Sequence, residues 1–412
     1  MKLFFSFKKK NFLNFYIIIL GSIFFYKIFI EYQHLYPLHD EIISFDRYLE
    51  PKNFLRRDST NNQLYLSFFG MLINKIYGFE FSIFRSISFI SFVGITILIR
   101  KTFNSTNLIS IFFIIILSSD LLYNYIYLYR GYYIASFFLV LSLFFLKKFL
   151  LKKKDKDLKI CFFMCFLIFT HSIYGLYFVI PVISTILIKI YNEKSLGKIK
   201  LLFQFFFVPS CLVYSLIFII TGFAQNYPNN LNLIFLITNI FEVSIKSYIP
   251  GLKTVFFQDA INFQLDYKSL INLFIKSNSI SQTHQLSIFI VISLSFINIL
   301  FKSLFRRKSF NYFDLLIIIF VTSFLIINKQ PFLRVYVFIS YLFIFYLLNE
   351  IQIYSKDNQI PFFKTLSLFL SIILILMIYF TKPNNNYEEL KEQILRIDNH
   401  KINCLISNDK LS

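Results

Sequence analysis

Long apolar runs recur from one end of the chain to the other, and many of them are bordered by lysine or arginine. A transmembrane helix needs about 17–25 mostly apolar residues to cross the hydrocarbon core of a bilayer. Charged residues make up only 16% of the 412 positions, against about 25% in soluble domains. The sequence therefore predicts an all-α, multi-pass integral membrane protein. Four windows meet or approach the required length: Phe12–Ile30, Leu201–Phe223, Leu286–Leu304 and Phe363–Phe380.

The formal net charge of +20 raises the question of a nucleic-acid partner. The lysines and arginines cluster in short stretches between apolar runs, and this arrangement is typical of the cytoplasmic loops of membrane proteins. Their location favours membrane lipids over nucleic acid as the partner of the positive charge.

The positions of the basic residues also predict the topology. The N-terminus, with Lys8–Lys10, and each later basic loop are predicted on the cytoplasmic side. Each interval between two such loops must then hold an even number of crossings. Residues 160–190 are therefore predicted to form a hairpin of two short spans with His171 near its outer tip, and residues 108–146 two spans joined by an outer segment at 120–130. The later basic loops are Arg100–Lys101, Lys147–Lys159, Lys189–Lys200, Lys302–Lys308 and Lys356–Lys364.

Counted in this way, the chain has about eleven spans in a transmembrane helix bundle at 1–381, followed by a short outer tail at 382–412. Two outer loops are long, one at 31–82 and one at 224–285. The second is too polar to span and contains stretches typical of amphipathic helices on the membrane surface. Abundant Phe, Ile, Lys, Asn and Tyr are typical of an AT-rich genome and favour a bacterial source, so the predicted location is the plasma membrane. The cytoplasmic N-terminus follows from Lys8–Lys10. The tail is predicted to hold a short helix and a small strand: Tyr387–Arg396 and Ile402–Ile406.

The segment directly after the first apolar run carries two adjacent acidic residues, Asp40 and Glu41. Pro37 ends the incoming helix and Asp40 can cap a new one at the membrane interface. Because neighbouring residues on a helix point about 100° apart, the two carboxylates cannot form a dyad. A carboxylate at a membrane-facing cavity suits a general base, but a polar loop that orients the first span explains the pair equally well. The new helix has an apolar and a polar face: Ile42, Phe45 and Leu49 on the first, Asp40, Ser44 and Arg47 on the second.

Four basic side chains stand at the edges of predicted spans: Arg85, Arg130, His171 and Arg334. A charge in mid-bilayer costs about 2.5–3.5 kcal/mol on insertion scales, and much less at an edge where the side chain snorkels to water. Snorkelling is the favoured interpretation of Arg85. For Arg130 and Arg334, on the predicted outer side, snorkelling and the binding of an anionic phosphate are both open. His171 is better explained as a satisfied interfacial histidine than as a catalytic one.

Several short stretches follow one another in a characteristic order: His39-Asp40-Glu41, Asn61-Asn62-Gln63-Leu64-Tyr65, Tyr77-Gly78-Phe79-Glu80 with Phe84-Arg85-Ser86, Tyr129-Arg130-Gly131-Tyr132-Tyr133, Thr170-His171 and the late Arg334. Together they resemble the GT-C superfamily of membrane glycosyltransferases, which use polyprenyl-phosphate sugars. The likeness covers most of the chain and is dense from His39 to Arg130. Gln63 departs from the pattern, because many relatives have histidine at that position.

The resemblance implies a GT-C-like fold and a specific division of roles. Asp40 would deprotonate the acceptor hydroxyl of a glycan, lipid or protein, and the oxygen would displace polyprenyl phosphate from the sugar. Arg130 and Arg334 would bind the donor phosphate, while Glu41 would orient a sugar hydroxyl or assist a divalent metal. No ligand spacing in the sequence decides whether a metal is used. Further substrate-binding candidates are His39, Arg47, Gln63, Tyr133 and His171.

Three other functions are compatible with a polytopic chain: a transporter or lipid flippase, an envelope polysaccharide polymerase or ligase, and a scaffold without chemistry. Carriers often show repeated halves and helices broken by glycine or proline, whereas this chain has nine glycines and no visible repeat. The placement of the polar residues distinguishes the classes. A transferase gathers them at one membrane surface, a carrier near the midplane, and a scaffold scatters them.

Overall fold

The structure is a computed structural model, and the part described here is helical, with no strand within it. The prediction of an all-α chain is confirmed for this part. The described residues are 63–78, 81–117, 119–171, 175–221, 287–305, 310–327 and 336–357, with single positions 19, 22, 23, 26, 41, 44 and 49. The predicted last span, the long outer loop at 224–285 and the tail from 382 lie outside these residues, as does the predicted first span apart from positions 19, 22, 23 and 26.

The helices follow one another with short connections. The first half contains α1 (Leu64–Tyr77), α2 (Phe81–Phe103), α3 (Thr106–Leu117), α4 (Asp120–Ile126), α5 (Tyr132–Lys152), α6 (Asp155–His171) and α7 (Leu176–Asn192). The second half contains a 3₁₀ turn (Leu196–Lys198), α8 (Ile199–Leu202), a π-helical turn (Phe203–Phe207), α9 (Val208–Thr221), α10 (Ser287–Phe305), α11 (Tyr312–Ile327) and α12 (Tyr336–Asp357).

Within the described residues, four helical stretches are long and apolar enough to cross a membrane: Ser82–Phe103, Tyr132–Lys152, Leu196–Leu216 and Val337–Tyr354. Shorter apolar helices are Asn107–Leu117, Leu176–Asn192, Ile290–Leu304 and Tyr312–Ser323. The length and apolar composition of these helices indicate a membrane protein. The count of about eleven spans stays a prediction.

Two of the predicted helix breaks are confirmed. The helix α6 ends at His171 and α7 begins at Leu176, so residues 160–190 are divided in two. Between α3 and α5 lies the seven-residue helix α4 (Asp120–Ile126), whose cap is Ser119, since the Ser119 side chain accepts from the backbone N–H of Leu122. The even-crossing rule thus located these breaks correctly.

The lysine-rich stretches predicted to be loops lie mostly in helix ends. The helix α5 continues to Lys152 and α6 begins at Asp155, which leaves only two residues between them. Likewise α10 continues to Phe305 and therefore contains Lys302. The prediction of a loop beginning at Lys302 is wrong. Lysine is a good helix former and its charge is favourable in the last turn of a helix.

The π-helical turn at Phe203–Phe207 has a local cause. Pro209 follows two residues later, and proline has no backbone N–H to donate to the carbonyl four residues earlier. An extra residue in the turn re-aligns the remaining hydrogen bonds. The α8–α9 segment therefore continues as one helical path through a residue that otherwise ends a helix.

Hydrogen bonds between helices establish their relative direction. Near the start of α2, Ser88 Oγ donates to the Leu128 carbonyl just before α5, at 2.6 Å. Near the other end of α5, Lys147 Nζ donates to Gln352 Oε1 of α12 at 2.9 Å, and Gln352 Nε2 donates to the carbonyl of Phe103 at the end of α2, at 3.1 Å. The helices α2, α5 and α12 therefore run parallel. We call the end where they finish the basic end and the opposite end the site end.

The helix α5 lies at the centre of the bundle and contacts α2, α6 and α12. Its Tyr133 is fully buried; the hydroxyl donates to the Leu122 carbonyl at 2.6 Å and accepts from the Tyr341 hydroxyl at 3.0 Å. These bonds satisfy two polar side chains inside an apolar core, where an unpaired hydroxyl would be costly. The core is built around α5, and the sites described below lie at its two ends.

Candidate functional site

A buried ion pair joins Glu41 to Arg85 at the site end. Arg85 Nη2 lies 2.8 Å from Glu41 Oε2 and Arg85 Nε lies 3.1 Å from Glu41 Oε1, so the contact is bidentate. Both side chains are fully buried. The prediction that Arg85 snorkels to water is therefore wrong. The reason is tertiary: a carboxylate more than forty residues earlier meets the guanidinium, and a paired charge tolerates burial.

Glu41 also connects this ion pair to the segment before α5. The backbone N–H of Tyr129 donates to Glu41 Oε1 at 2.6 Å. The Tyr129 hydroxyl donates to the Leu66 carbonyl of α1 at 3.0 Å, and its ring packs edge-on against Phe84 of α2. The Glu41 carboxylate thus connects α2 with the segment before α5, and through Tyr129 with α1.

His171 forms a second connection at the same end. The backbone N–H of Tyr65 donates to His171 Nδ1 at 3.3 Å, and His171 Nε2 lies 2.9 Å from the Gly131 carbonyl. Because Nδ1 accepts a hydrogen bond, the proton is on Nε2, which donates to the carbonyl, and the ring is neutral. The Tyr65 ring lies nearly parallel to the imidazole with centroids 5.6 Å apart. Both ring nitrogens of His171 are therefore hydrogen-bonded within the protein, and its position at a membrane interface stays a prediction.

Gln63 places an unpaired acceptor beside this histidine. Its side chain is only 3% exposed, and its buried Oε1 atom has no hydrogen-bond partner among the residues that the structure describes. A Cβ added at Gly131 would lie 2.2 Å from Gln63 Oε1 and 2.5 Å from His171 Nε2. An unsatisfied buried acceptor costs about 1–3 kcal/mol. At the site end, Gln63 is therefore a group that a donor from a bound molecule would stabilise.

The closeness of Gln63 and His171 to Gly131 leads to a testable prediction. Gly131→Ala is expected to lower the free energy of unfolding by about 1–3 kcal/mol, because the new methyl group overlaps buried polar atoms that have little room to move. Chemical or thermal unfolding of the purified protein measures this. Gly197→Ala is the matched control, since nothing lies within 4 Å of the added Cβ there. Equal stability of the two variants would contradict the packing described for Gly131.

The structure brings several of the predicted site residues together at the site end. Glu41, Gln63, Arg130 and His171 are buried there. Glu41 bonds to the backbone of Tyr129 and His171 to that of Gly131, on either side of Arg130, and Gln63 Oε1 lies close to Gly131. Tyr133 is directed into the core instead, where its hydroxyl bonds to Leu122 and Tyr341. The other predicted site residues lie outside the described part of the chain: His39, Asp40, Arg47 and Arg334.

A second buried polar network lies at the basic end and was not identified from the sequence. Lys302 Nζ of α10 lies 3.1 and 3.0 Å from the two carboxylate oxygens of Asp314 in α11, and it also donates to Glu350 Oε2 of α12. The three charged side chains are at most 3% exposed. We call these three residues the Lys302 network. An acidic residue inside an apolar run, as at Asp314, was the signal that could have revealed it.

Neutral donors complete the Lys302 network. Asp314 accepts from the Tyr346 hydroxyl at 2.6 Å and from the backbone N–H of Asn311 at 2.7 Å. Glu350 accepts from the amide groups of Asn298 and Asn311 at 3.2 and 2.9 Å. Each carboxylate therefore receives donors beyond the single lysine, which is how two buried negative charges are accommodated around one positive charge.

Among the described residues, no group of three or more His, Cys, Asp or Glu side chains is arranged to hold a metal ion. Metal use by the residues around Asp40 stays an open prediction. Comparison of the chain with protein-family models, with curated proteins and with solved structures gave no match.

Proposed function

We propose that this chain is a membrane glycosyltransferase that moves a sugar from a polyprenyl-phosphate donor to a hydroxyl of a glycolipid, polysaccharide or protein. The reaction takes place at the site end, which faces outward from a bacterial plasma membrane. The observation that carries the proposal is the Arg85–Glu41 ion pair with its bond to Tyr129. It anchors the residue next to Asp40 at the place where three helices and the Arg130 segment meet.

The distribution of polar groups supports a transferase. Glu41, Gln63, Arg130 and His171 gather at one end of the helices, as a reaction at a membrane surface requires. An isolated anchoring carboxylate would be expensive to bury, so the structure retains Arg85 opposite it. Burying the two charges costs free energy. That cost is understandable if the ion pair holds a neighbouring catalytic group in place.

In the proposed mechanism Asp40 is the general base. It accepts the proton of the acceptor hydroxyl as that oxygen attacks the anomeric carbon of the sugar. The bond from this carbon to the phosphate oxygen breaks, and polyprenyl phosphate leaves with the bonding electrons. Arg130 and Arg334 stabilise the negative charge of the departing phosphate. Glu41 is a positioning residue, because its two oxygens bond to Arg85 and to the Tyr129 N–H.

Donor turnover in lipid nanodiscs tests the proposal. The purified full-length protein is given a panel of polyprenyl-phosphate sugars with a membrane glycolipid extract, and released polyprenyl phosphate is measured. Asp40→Asn is expected to lower the turnover by about 100-fold or more, since general-base catalysis contributes about 10²–10⁴-fold. Asp155→Asn is the matched control. It removes a carboxylate that is 58% exposed at the basic end, and its turnover is expected to equal that of the wild type.

Two results of this assay would count against the mechanism. Turnover that survives in Asp40→Asn removes Asp40 as the base but leaves the enzyme class. No release from any donor, by a protein that is shown to be folded, contradicts the transferase proposal. Glu41→Gln separates positioning from chemistry: a positioning role predicts reduced turnover together with reduced stability, because the Arg85 guanidinium loses its buried counter-ion.

A carrier is the second candidate function, and the Lys302 network is the observation that favours it. Buried ionisable residues within apolar helices are a common feature of proton- and ion-coupled transport. The network lies at the basic end and is satisfied internally by Tyr346, Asn298 and Asn311. Uptake of labelled lipid-linked sugar into proteoliposomes that depends on Lys302, without release of polyprenyl phosphate, would favour the carrier over the transferase.

A further inference from the structure

The basic end carries a concentrated positive surface, formed by residues 147–159 and 189–200. We call it the lysine surface. The two stretches contain eleven lysines and three carboxylates, which is a formal net charge of +8. They lie at the ends of α5 and α7 and at the starts of α6 and α8. Two fifths of the net charge of the whole chain is therefore gathered where two helical hairpins meet.

Contacts between the two stretches make them one continuous surface. Lys153 Nζ lies 3.0 Å from Glu193 Oε1. On the other side, Lys198 Nζ lies 3.4 Å from Asp155 Oδ1 and donates to the Lys153 carbonyl at 3.3 Å. These reciprocal bonds hold the turn before α6 against the loop before α8.

The carboxylates of this surface are already occupied. Hydrogen bonds from Lys189 and then Lys153 lower the pKa of Glu193, so it stays ionised and bound to those two lysines. Asp155 pairs with Lys198. The remaining carboxylate, Asp157, is only 9% exposed. Six exposed lysines have no ion pair with any residue that the structure describes: Lys152, Lys154, Lys156, Lys159, Lys194 and Lys200.

Exposed apolar side chains lie among these lysines. Leu151 is 73% exposed, Tyr191 is 74% exposed and Leu196 is 57% exposed. Apolar and aromatic groups beside lysine are typical of protein segments at the membrane interface, where the side chain enters the acyl boundary and the ammonium group meets a phosphate. A nucleic-acid surface needs phosphate contacts but does not call for exposed leucine.

We propose that the lysine surface binds the phosphate groups of anionic phospholipids in the leaflet at the basic end, with Leu151, Tyr191 and Leu196 inserted beside them. Each lysine near an anionic membrane contributes about 1 kcal/mol, which corresponds to about a fivefold change in affinity. The proposal requires a membrane location but does not depend on sugar transfer. It can therefore stand or fall separately from the proposed function.

Lipid binding to the full-length protein in neutral detergent tests this proposal. Native mass spectrometry of the protein titrated with phosphatidylglycerol or phosphatidylcholine gives an apparent Kd for each lipid. The wild type is expected to bind phosphatidylglycerol at least tenfold more tightly than phosphatidylcholine. The triple variant Lys152→Gln, Lys154→Gln and Lys156→Gln is expected to lose at least tenfold in affinity for phosphatidylglycerol.

The charge-preserving triple variant with arginine at the same three positions is the matched control, and it is expected to bind like the wild type. Equal affinity of the wild type for both lipids would overturn the proposal. So would unchanged phosphatidylglycerol binding by the glutamine variant, or a loss of binding by the arginine variant. An RNA duplex added in the same detergent tests nucleic acid as the alternative polyanionic ligand. Tighter binding of RNA than of phosphatidylglycerol would also overturn the proposal.

Discussion

Replacing Arg85 with methionine is expected to lower the free energy of unfolding by about 3–5 kcal/mol. Methionine retains much of the volume and the helix propensity of arginine, so the main loss is the counter-ion of Glu41. That carboxylate would stay fully buried with the Tyr129 N–H bonded to it but would lose its bidentate bond to Arg85. Removing one partner of a buried ion pair is among the few causes of such a large effect.

Buried thiols provide the measurement. Cys161 and Cys165 are buried and Cys211 is exposed, so a background with Cys211→Ser and Cys404→Ser leaves two thiols that react with a dye after unfolding. An SDS titration of dye reactivity then compares the variants. Lys101→Met, an exposed lysine near the other end of α2, is the control and should stay within about 0.5 kcal/mol of the wild type.

The double variant Glu41→Gln with Arg85→Met distinguishes charge from packing. It removes both charges together, so it is expected to be more stable than Arg85→Met alone. If Arg85→Met proves as stable as the Lys101→Met control, the ion pair does not contribute to the fold as described. In the transferase assay, Arg85→Met is also expected to be less active than Lys101→Met, because Glu41, the neighbour of Asp40 in the sequence, loses its bidentate bond to Arg85.

The second large effect is expected at the opposite end of the bundle. Lys302→Met leaves Asp314 and Glu350 buried together without a cation and is expected to destabilise the protein by about 3–5 kcal/mol. Asp314→Asn is expected to cost clearly less. It leaves Lys302 and Glu350 as a neutral pair, and the single asparagine oxygen can still accept from the Tyr346 hydroxyl. The same dye-reactivity titration measures both variants.

The asymmetry between these two substitutions is the informative result. Lys200→Met serves as the control, since Lys200 is exposed at the same end and makes no ion pair in the described residues. Adding Asp314→Asn to Lys302→Met should recover part of the lost stability, because one buried negative charge is removed. Equal losses from Lys302→Met and Asp314→Asn would mean that side-chain shape, and not the balance of charge, determines the stability of this network.

The sequence alone determined the helical class and several boundaries. Long apolar runs cannot form any other structure in a bilayer, because helices satisfy all their backbone hydrogen bonds within one segment. The alternation of basic stretches located the breaks at His171 and around Asp120, since a charge on each side of a run restricts how often the chain crosses. A resemblance of short motifs, and not the charge pattern, drew attention to the segment from His39 to Arg130, four of whose residues the structure brings together at the site end: Glu41, Gln63, Arg85 and Arg130.

Only the tertiary structure decided how the charges are used. Arg85 and Lys302 looked like edge and loop residues, yet both are buried in ion pairs with carboxylates far away in the chain. Tyr133 belongs to a motif at the start of a span, but its hydroxyl points into the core. Local sequence patterns indicate the spacing of the apolar residues and the positions of the helix ends. The free energy of a buried charge depends instead on which partner another helix places within about 3 Å, and that is a property of the assembled bundle.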